Sequence, residues 1–404
     1  HCTECTLRDL QCKFSDSVNN DAKIRTNIPI RDYDNYQGPT IMKKTLSLQG
    51  PKSSKLLGPT SIVEKNLLNF NNNDDDPANS PTNSIIKNEQ IIIDHSIKIR
   101  KINNDSFFQI INDNEEFIKL SYQQVDEIEI IIYPYGLNLI NLFFKIVHPM
   151  LPIISKPVFL EKYSRTHREF DPILLAALYL HAINWWHLDD ELKSKPKPNF
   201  LKLERLLLVL YSENLINLPP KFSTCQGLIL LINYNFHKSE TSLLSKTNDD
   251  WKIISQLITI VEELGLNYNS EDWITIPNWE RKIRKLLTWT IIMMDKMYSL
   301  LEFRPSRINP NNWLLNELIL KDFQIEEDEE VFIEKTNGEN FVLNHGYNNN
   351  HQEDYSIFGN LIFVKMVHLS YHINDVLNDV FNLKSLKFDD FDTILIKSSR
   401  LLIN

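Results

Sequence analysis

Glycine is scarce, at 9 residues in 404. No glycine-rich phosphate loop can be drawn from so few, and no H-E-x-x-H, no G-x-S-x-G and no second C-x-x-C to match the first is present. The usual signatures of nucleotide-binding enzymes, zinc peptidases and serine hydrolases are therefore missing, and an enzyme of the common classes is not expected. Cationic excess is missing as well: Lys plus Arg number 43 against 53 Asp plus Glu, a net charge of −10. That is the wrong sign for a chain that coats nucleic acid, so any DNA contact must be local. No apolar run approaches the roughly 18 to 20 residues that cross a bilayer, and no charged start, apolar stretch and small-residue cleavage site opens the chain. The first residue is His1 rather than Met, and the last lie inside the apolar run "TILIKSSRLLIN", so the chain is expected to be a piece of a longer protein.

Cysteine is rare but unevenly placed. Of the 4 present, Cys2, Cys5 and Cys12 crowd into "HCTECTLRDLQC", and Cys225 stands alone in "STCQGLILL". Such a set is a poor disulfide framework and suits a reducing compartment, where thiols are kept for metals. Zinc takes four thiolate or imidazole ligands in a tetrahedron. Three cysteines fall one short, and His1 adjoins Cys2 too closely to complete the site easily. Cys225 lies on an apolar helix and reads as a small core residue.

A composition of 42% hydrophobic and 10% aromatic residues supplies ample core. Residues 15–84 are polar and broken, with "QGPKSS" and "NNNDDDPANSPTNS", and read as a flexible linker. Residues 85–134 hold short β-branched runs bounded by Asn and Asp, which suit extended pieces or a hairpin within an irregular segment. From residue 135 to 404 the period is helical throughout, without alternating strands, which predicts an all-α body. "FDPILLAALYLHAINWW" is apolar nearly all round and predicts a central helix, with Asp171 as N-cap and Pro172 at its first position. Gly265 is placed to end "DDWKIISQLITIVEELG" in a left-handed turn. The longest element, "PNWERKIRKLLTWTIIMMDKMYSLLEFRPSR", has Asn278 as its candidate cap and Pro305 past its end.

The remaining chemistry-bearing residues have bland readings. His148, His181, His187 and His237 are scattered and suit helix ends or core hydrogen bonds. "EEDEE" at 326–330 suits a solvated loop more readily than an acidic interaction surface, and "ERKIRK" at 280–285 an exposed helix face with Glu280 near the positive N-terminus. "INWWHL" and "IIMMDKMY" suit core packing. The rival reading is a helical small-molecule-binding or catalytic protein with an incidental cysteine cluster, whose pocket these two stretches would line.

"CTECTLRDLQC" is similar to the second half of the fungal six-cysteine binuclear zinc cluster. The blocks "LINLFFKIVHPMLPIISKPVFLEKY", "DPILLAALYLHAINWW", "DWKIISQLITIVEELGLN" and "WERKIRKLLTWTIIMMDKMYSLLEFRPSRI" resemble, in order, the middle homology regulatory domain of those transcription factors. The family's usual Arg-Arg-Leu-Trp-Trp pattern stands here as "RKLLTW", which keeps Trp289 and changes its neighbours. "IRDYDNYQGPTIMKKTLSLQGPKSSKLLGPTS" and "VDEIEIIIYPYGLNLINLFFKIVHP" resemble the subgroup of broad nitrogen- and GABA-utilisation co-activators.

The resemblance implies that residues 1–14 are the C-terminal half of a DNA-binding cluster. Cys2 would then be a bridging zinc ligand, Cys5 and Cys12 terminal ones, and Arg8 and Lys13 DNA phosphate contacts. Two Zn2+ ions per complete cluster would need three further cysteines upstream. It further implies a nuclear activator of RNA polymerase II genes, working with pathway-specific transcription factors or co-regulators and a small-molecule effector, with no membrane partner.

Overall fold

In the computed structural model the described residues are 45–46, 52–58, 85–87, 90–93, 97–103, 106–217, 219, 221–236, 250–323, 349–382, 387 and 391–403. Five strands come first: β1 (Lys52–Leu57), β2 (Ile85–Lys87), β3 (Gln90–Ile93), β4 (Ile97–Lys101) and β5 (Phe107–Asn112). They form one antiparallel sheet in the order β1-β5-β4-β3-β2. Period-two alternation makes the sheet one-sided in β5, where Phe108 and Ile110 are buried and Phe107, Gln109 and Ile111 less so. Phe108 and Ile110 build a small core with Leu46, Ile102, Trp273 and Ile276, in which the Phe108 and Trp273 rings meet edge to face with centroids 5.5 Å apart.

The helices follow: α1 (Glu115–Ile132), α2 (Gly136–Ile146), α3 (Lys156–Arg165), α4 (Pro172–Asn184), α5 (Phe200–Asn217) and α6 (Phe222–Phe236). Then come α7 (Asp250–Glu263), α8 (Asn278–Leu301), α9 (Asn349–Asp379) and α10 (Phe391–Ile403). From α1 onward the described elements are helical, as the periodicity predicts. α4 is the hub, buried from Pro172 to Ile183 and packed by α1, α2, α5 and α6. Its first turn is held as expected: Asp171 accepts the Ile173 N–H at 2.9 Å through one carboxylate oxygen and the Thr224 hydroxyl of α6 at 2.7 Å through the other. The two helices touch at Gly227, where a Cβ would stand 2.7 Å from the Leu174 nitrogen, so only glycine admits this approach. Gly265 takes φ +66° and closes α7, again as predicted.

Three expectations need correction. The linker expected over 15–84 contains β1, whose polar look is deceptive: Ser53 and Ser54 are buried, and the Ser53 hydroxyl donates to Asp113 at 2.6 Å. The segment 85–134, expected to be extended or irregular, does contain β2 to β5, but its second half is the 18-residue helix α1, so the helical body starts at 115 rather than 135. Asn114 caps α1 by accepting the Glu116 N–H at 2.9 Å. The buried stripe Val125, Ile128 and Ile132 is obscured in the sequence by Gln124, which is itself buried against Asn214 of α5 through two amide hydrogen bonds of 3.1 and 3.0 Å. Finally, Asn278 does not cap α8, because the helix starts one residue earlier, with Pro277 at the cap position and no side-chain hydrogen bond there.

Candidate regulatory interface

The residues singled out for metal and DNA, Cys2, Cys5, Cys12, Arg8 and Lys13, lie outside the described residues, as do His1, His237 and 326–330. Among the described residues no group of three or more His, Cys, Asp or Glu side chains is placed to hold a metal ion, and no helix is long and apolar enough to cross a membrane. The histidines of the body are structural or exposed. His148 places Nε2 2.7 Å from the Ile154 carbonyl oxygen, and burial pushes its imidazole down to about 4. His181 places Nε2 2.8 Å from the Leu230 carbonyl oxygen, and His187 faces solvent. Cys225 is fully buried, and burial drives its thiol well above the usual range. Trp186 and Met294 belong to the main core.

The first charged site lies where the sheet meets the helices. Glu280, Arg284 and Lys285 of "ERKIRK" are buried, contrary to the expected exposed face. The fully buried Glu280 accepts the Thr45 hydroxyl at 2.6 Å and the Leu46 N–H at 2.9 Å on Oε2, and Arg284 Nε at 3.1 Å on Oε1. Arg284 also donates to the Leu264 carbonyl oxygen at 3.2 Å, beside the Gly265 turn. Its guanidinium carbon lies 5.4 Å from the ring centroids of both Phe222 and Trp273 and 5.8 Å from that of Phe108. Arg100 of β4 closes the group by donating to the carbonyl oxygens of Thr45 at 3.3 Å and Thr275 at 3.0 Å. Burial opposes the Arg284 charge and Glu280 offsets that opposition. Ion pairs at i, i+4 look alike in sequence whether solvated or buried, and what distinguishes this one is Thr45, which periodicity cannot bring near.

A second buried pair fixes the turn after α8. Asp295 accepts the Arg307 N–H at 3.0 Å and the Ile308 N–H at 3.3 Å, while Lys296 donates to the Ile308 carbonyl oxygen at 2.9 Å. Ser306 links the two, donating to Asp295 and accepting from Lys296. The turn so held carries Phe303 at φ +51°, a left-handed conformation costly for a bulky residue. It also sets the guanidinium groups of Arg304 and Arg307 at 5.8 and 4.9 Å from the Trp251 ring centroid.

These arrangements tie segments together and present surface. The fungal specific transcription factor domain matches residues 140–393, and the chain belongs to that family. Among its relatives, the transcriptional activator protein DAL81 of Saccharomyces cerevisiae is 31% identical over 281 residues, covering 69% of this chain and 26% of that protein. An uncharacterised transcriptional regulatory protein of Schizosaccharomyces pombe is 32% identical over 254 residues, 62% of this chain and 33% of its own length. The chain thus spans only between a quarter and a third of these relatives. No solved structure matches it.

Proposed function

We propose that the protein is a transcription regulator of RNA polymerase II genes, in nitrogen or amino acid catabolism, acting in the nucleus as an activator rather than as a catalyst. The observation that carries this reading is the family match over 140–393, reinforced by the similarity to a transcriptional activator over 69% of the chain. DNA contact is assigned to a six-cysteine cluster of which Cys2, Cys5 and Cys12 form one half, with Arg8 and Lys13 as phosphate contacts. When bound, two zinc ions would supply that small module with the folding free energy its core cannot. An overall charge of −10 keeps the helical body off DNA, so that affinity is local to the module. The body then controls output by binding pathway-specific factors, co-regulators or an effector.

The test is a promoter-reporter assay in cells with the chain extended upstream. Transcription of nitrogen-catabolic genes that falls when Cys5→Ser is introduced fits the proposal; unchanged transcription in both that variant and a deletion of the gene contradicts it. Turnover of any nitrogen metabolite by the purified body would instead favour a catalyst.

A further inference from the structure

Helix α8 ends in a turn that exposes what folded proteins usually cover. Leu301 and Phe303 are 62% and 58% exposed, and Phe381, just past α9, is 41% exposed with its ring edge-on to Phe303 at a centroid distance of 6.3 Å. Beside this apolar pair, Arg304 and Arg307 are exposed residues whose guanidinium groups lie over the ring of the buried Trp251. Neither guanidinium has an ion-pair partner among the described residues, although Glu302 adjoins them in sequence. The turn is not loose: Asp295 and Lys296 fix it from within, and it holds Phe303 left-handed at φ +51°. A strained, outward-facing aromatic beside two pre-oriented arginines with no ion-pair partner among the described residues has the composition of an interface centre.

We infer that Leu301, Phe303, Arg304, Arg307 and Phe381 form a docking surface for a partner-protein segment in which Asp or Glu flanks a large apolar side chain. Their place over Trp251 spares the guanidinium forks some of the ordering cost of meeting carboxylates, and charge-assisted pairs of this kind are the stronger hydrogen bonds. The apolar half of the surface favours a peptide over a phosphate backbone. The chain's own "EEDEEVF" has suitable chemistry but poor reach. Phe323, just before it, packs on Phe363 at 6.1 Å, and Phe381 lies roughly 27 Å further along α9 by helical rise. Full extension gains only about 3.3 Å per residue, so most of the acidic run falls short. That run is thus a poor occupant, and the paired positive charge of Arg304 and Arg307 beside Phe303 favours a partner of complementary chemistry. This deepens the proposed regulatory role and rests on it, but its test needs neither zinc nor DNA.

The experiment is fluorescence anisotropy of the whole chain with a labelled synthetic peptide, Asp-Asp-Glu-Leu-Phe-Asp-Leu. Saturable binding is expected, weaker at about 300 mM than at about 50 mM salt. It should fall by at least about threefold both in the double variant R304E/R307E and in Phe303→Gly, with the melting temperature of Phe303→Gly equal to or above that of the unaltered chain. Absence of saturable binding, a smaller loss in either variant, or a lowered melting temperature for Phe303→Gly would overturn the inference. So would displacement of the peptide by random-sequence duplex DNA. Tighter binding after Glu326, Glu327, Asp328, Glu329 and Glu330 are all changed to Gln would place the chain's own segment on the surface and reject the partner assignment. Failure of this test leaves promoter activation by the full-length regulator unaffected, which keeps the two proposals separable.

Discussion

Glu280 and Thr45 are 235 positions apart in sequence, yet the threonine hydroxyl donates to the buried carboxylate at 2.6 Å. The contact joins the stretch ahead of the sheet to the first turns of α8. It also makes residues 45–46 part of the body, so that a DNA-contacting module at 1–14 would be tethered about thirty residues away rather than by the whole of 15–84.

Glu280→Ala leaves the Arg284 guanidinium buried without its carboxylate, a loss of about 3 to 5 kcal/mol in denaturant melts. Trypsin should then cut faster at Lys52 and Lys55, because the strap over the sheet loses two hydrogen bonds to Glu280. Glu280→Gln keeps an acceptor and should cost less; equal stability of all three proteins would show that the charge node is not what holds the sheet.

Gly227→Ala drives a methyl group to within 2.7 Å of the Leu174 backbone nitrogen, and neither helix can yield cheaply. Destabilisation of about 2 kcal/mol or more is expected by thermal melting. A change of under about 0.5 kcal/mol would mean that α4 and α6 are farther apart than described.

Histidine 148 gives the body a pH dependence of definite sign. Its folded-state value, pushed down to about 4 by burial, lies below the ordinary value of about 6.5, so between those limits the unfolded chain binds the extra proton. Stability from this group is complete above about pH 6.5 and is lost as pH falls toward 4, on the order of 2 kcal/mol after allowance for the residue being only half-buried. Subtracting the melts of His148→Gln from those of the unaltered chain across that window should isolate the slope; identical pH profiles would refute it.

Cys225 should resist alkylation in the native chain at pH 8 and react at once in denaturant, since burial raises its thiol and shields it. Peptide mapping by mass spectrometry reads the site directly, and rapid native labelling would contradict the packing of α6.

Much of the helical body is legible in the residues themselves. Asp171 and Pro172 mark the start of α4, Gly265 the close of α7, and the all-round apolar run between Pro172 and Ile183 its central place. Legibility fails where polar side chains are buried. Gln124 and Asn214 satisfy each other inside the core, so α1 looks like a connector. Ser53 finds Asp113, so β1 looks like a linker, and Glu280 finds Thr45, so a buried node looks like a solvated face. Each of these pairs is long-range, and hydrophobic periodicity carries no information about a partner tens or hundreds of residues away. Arg304 and Arg307 likewise carry no sign in the sequence of the Trp251 ring beneath them, which belongs to another helix, α7.

The account turns on Cys2, Cys5 and Cys12 being half of a metal-built DNA-contacting module attached to this regulatory body. Elemental analysis of the purified chain extended upstream tests that most directly. Two zinc ions per chain, both lost on chelation together with sequence-specific DNA binding, is the predicted result; one zinc or none would contradict it.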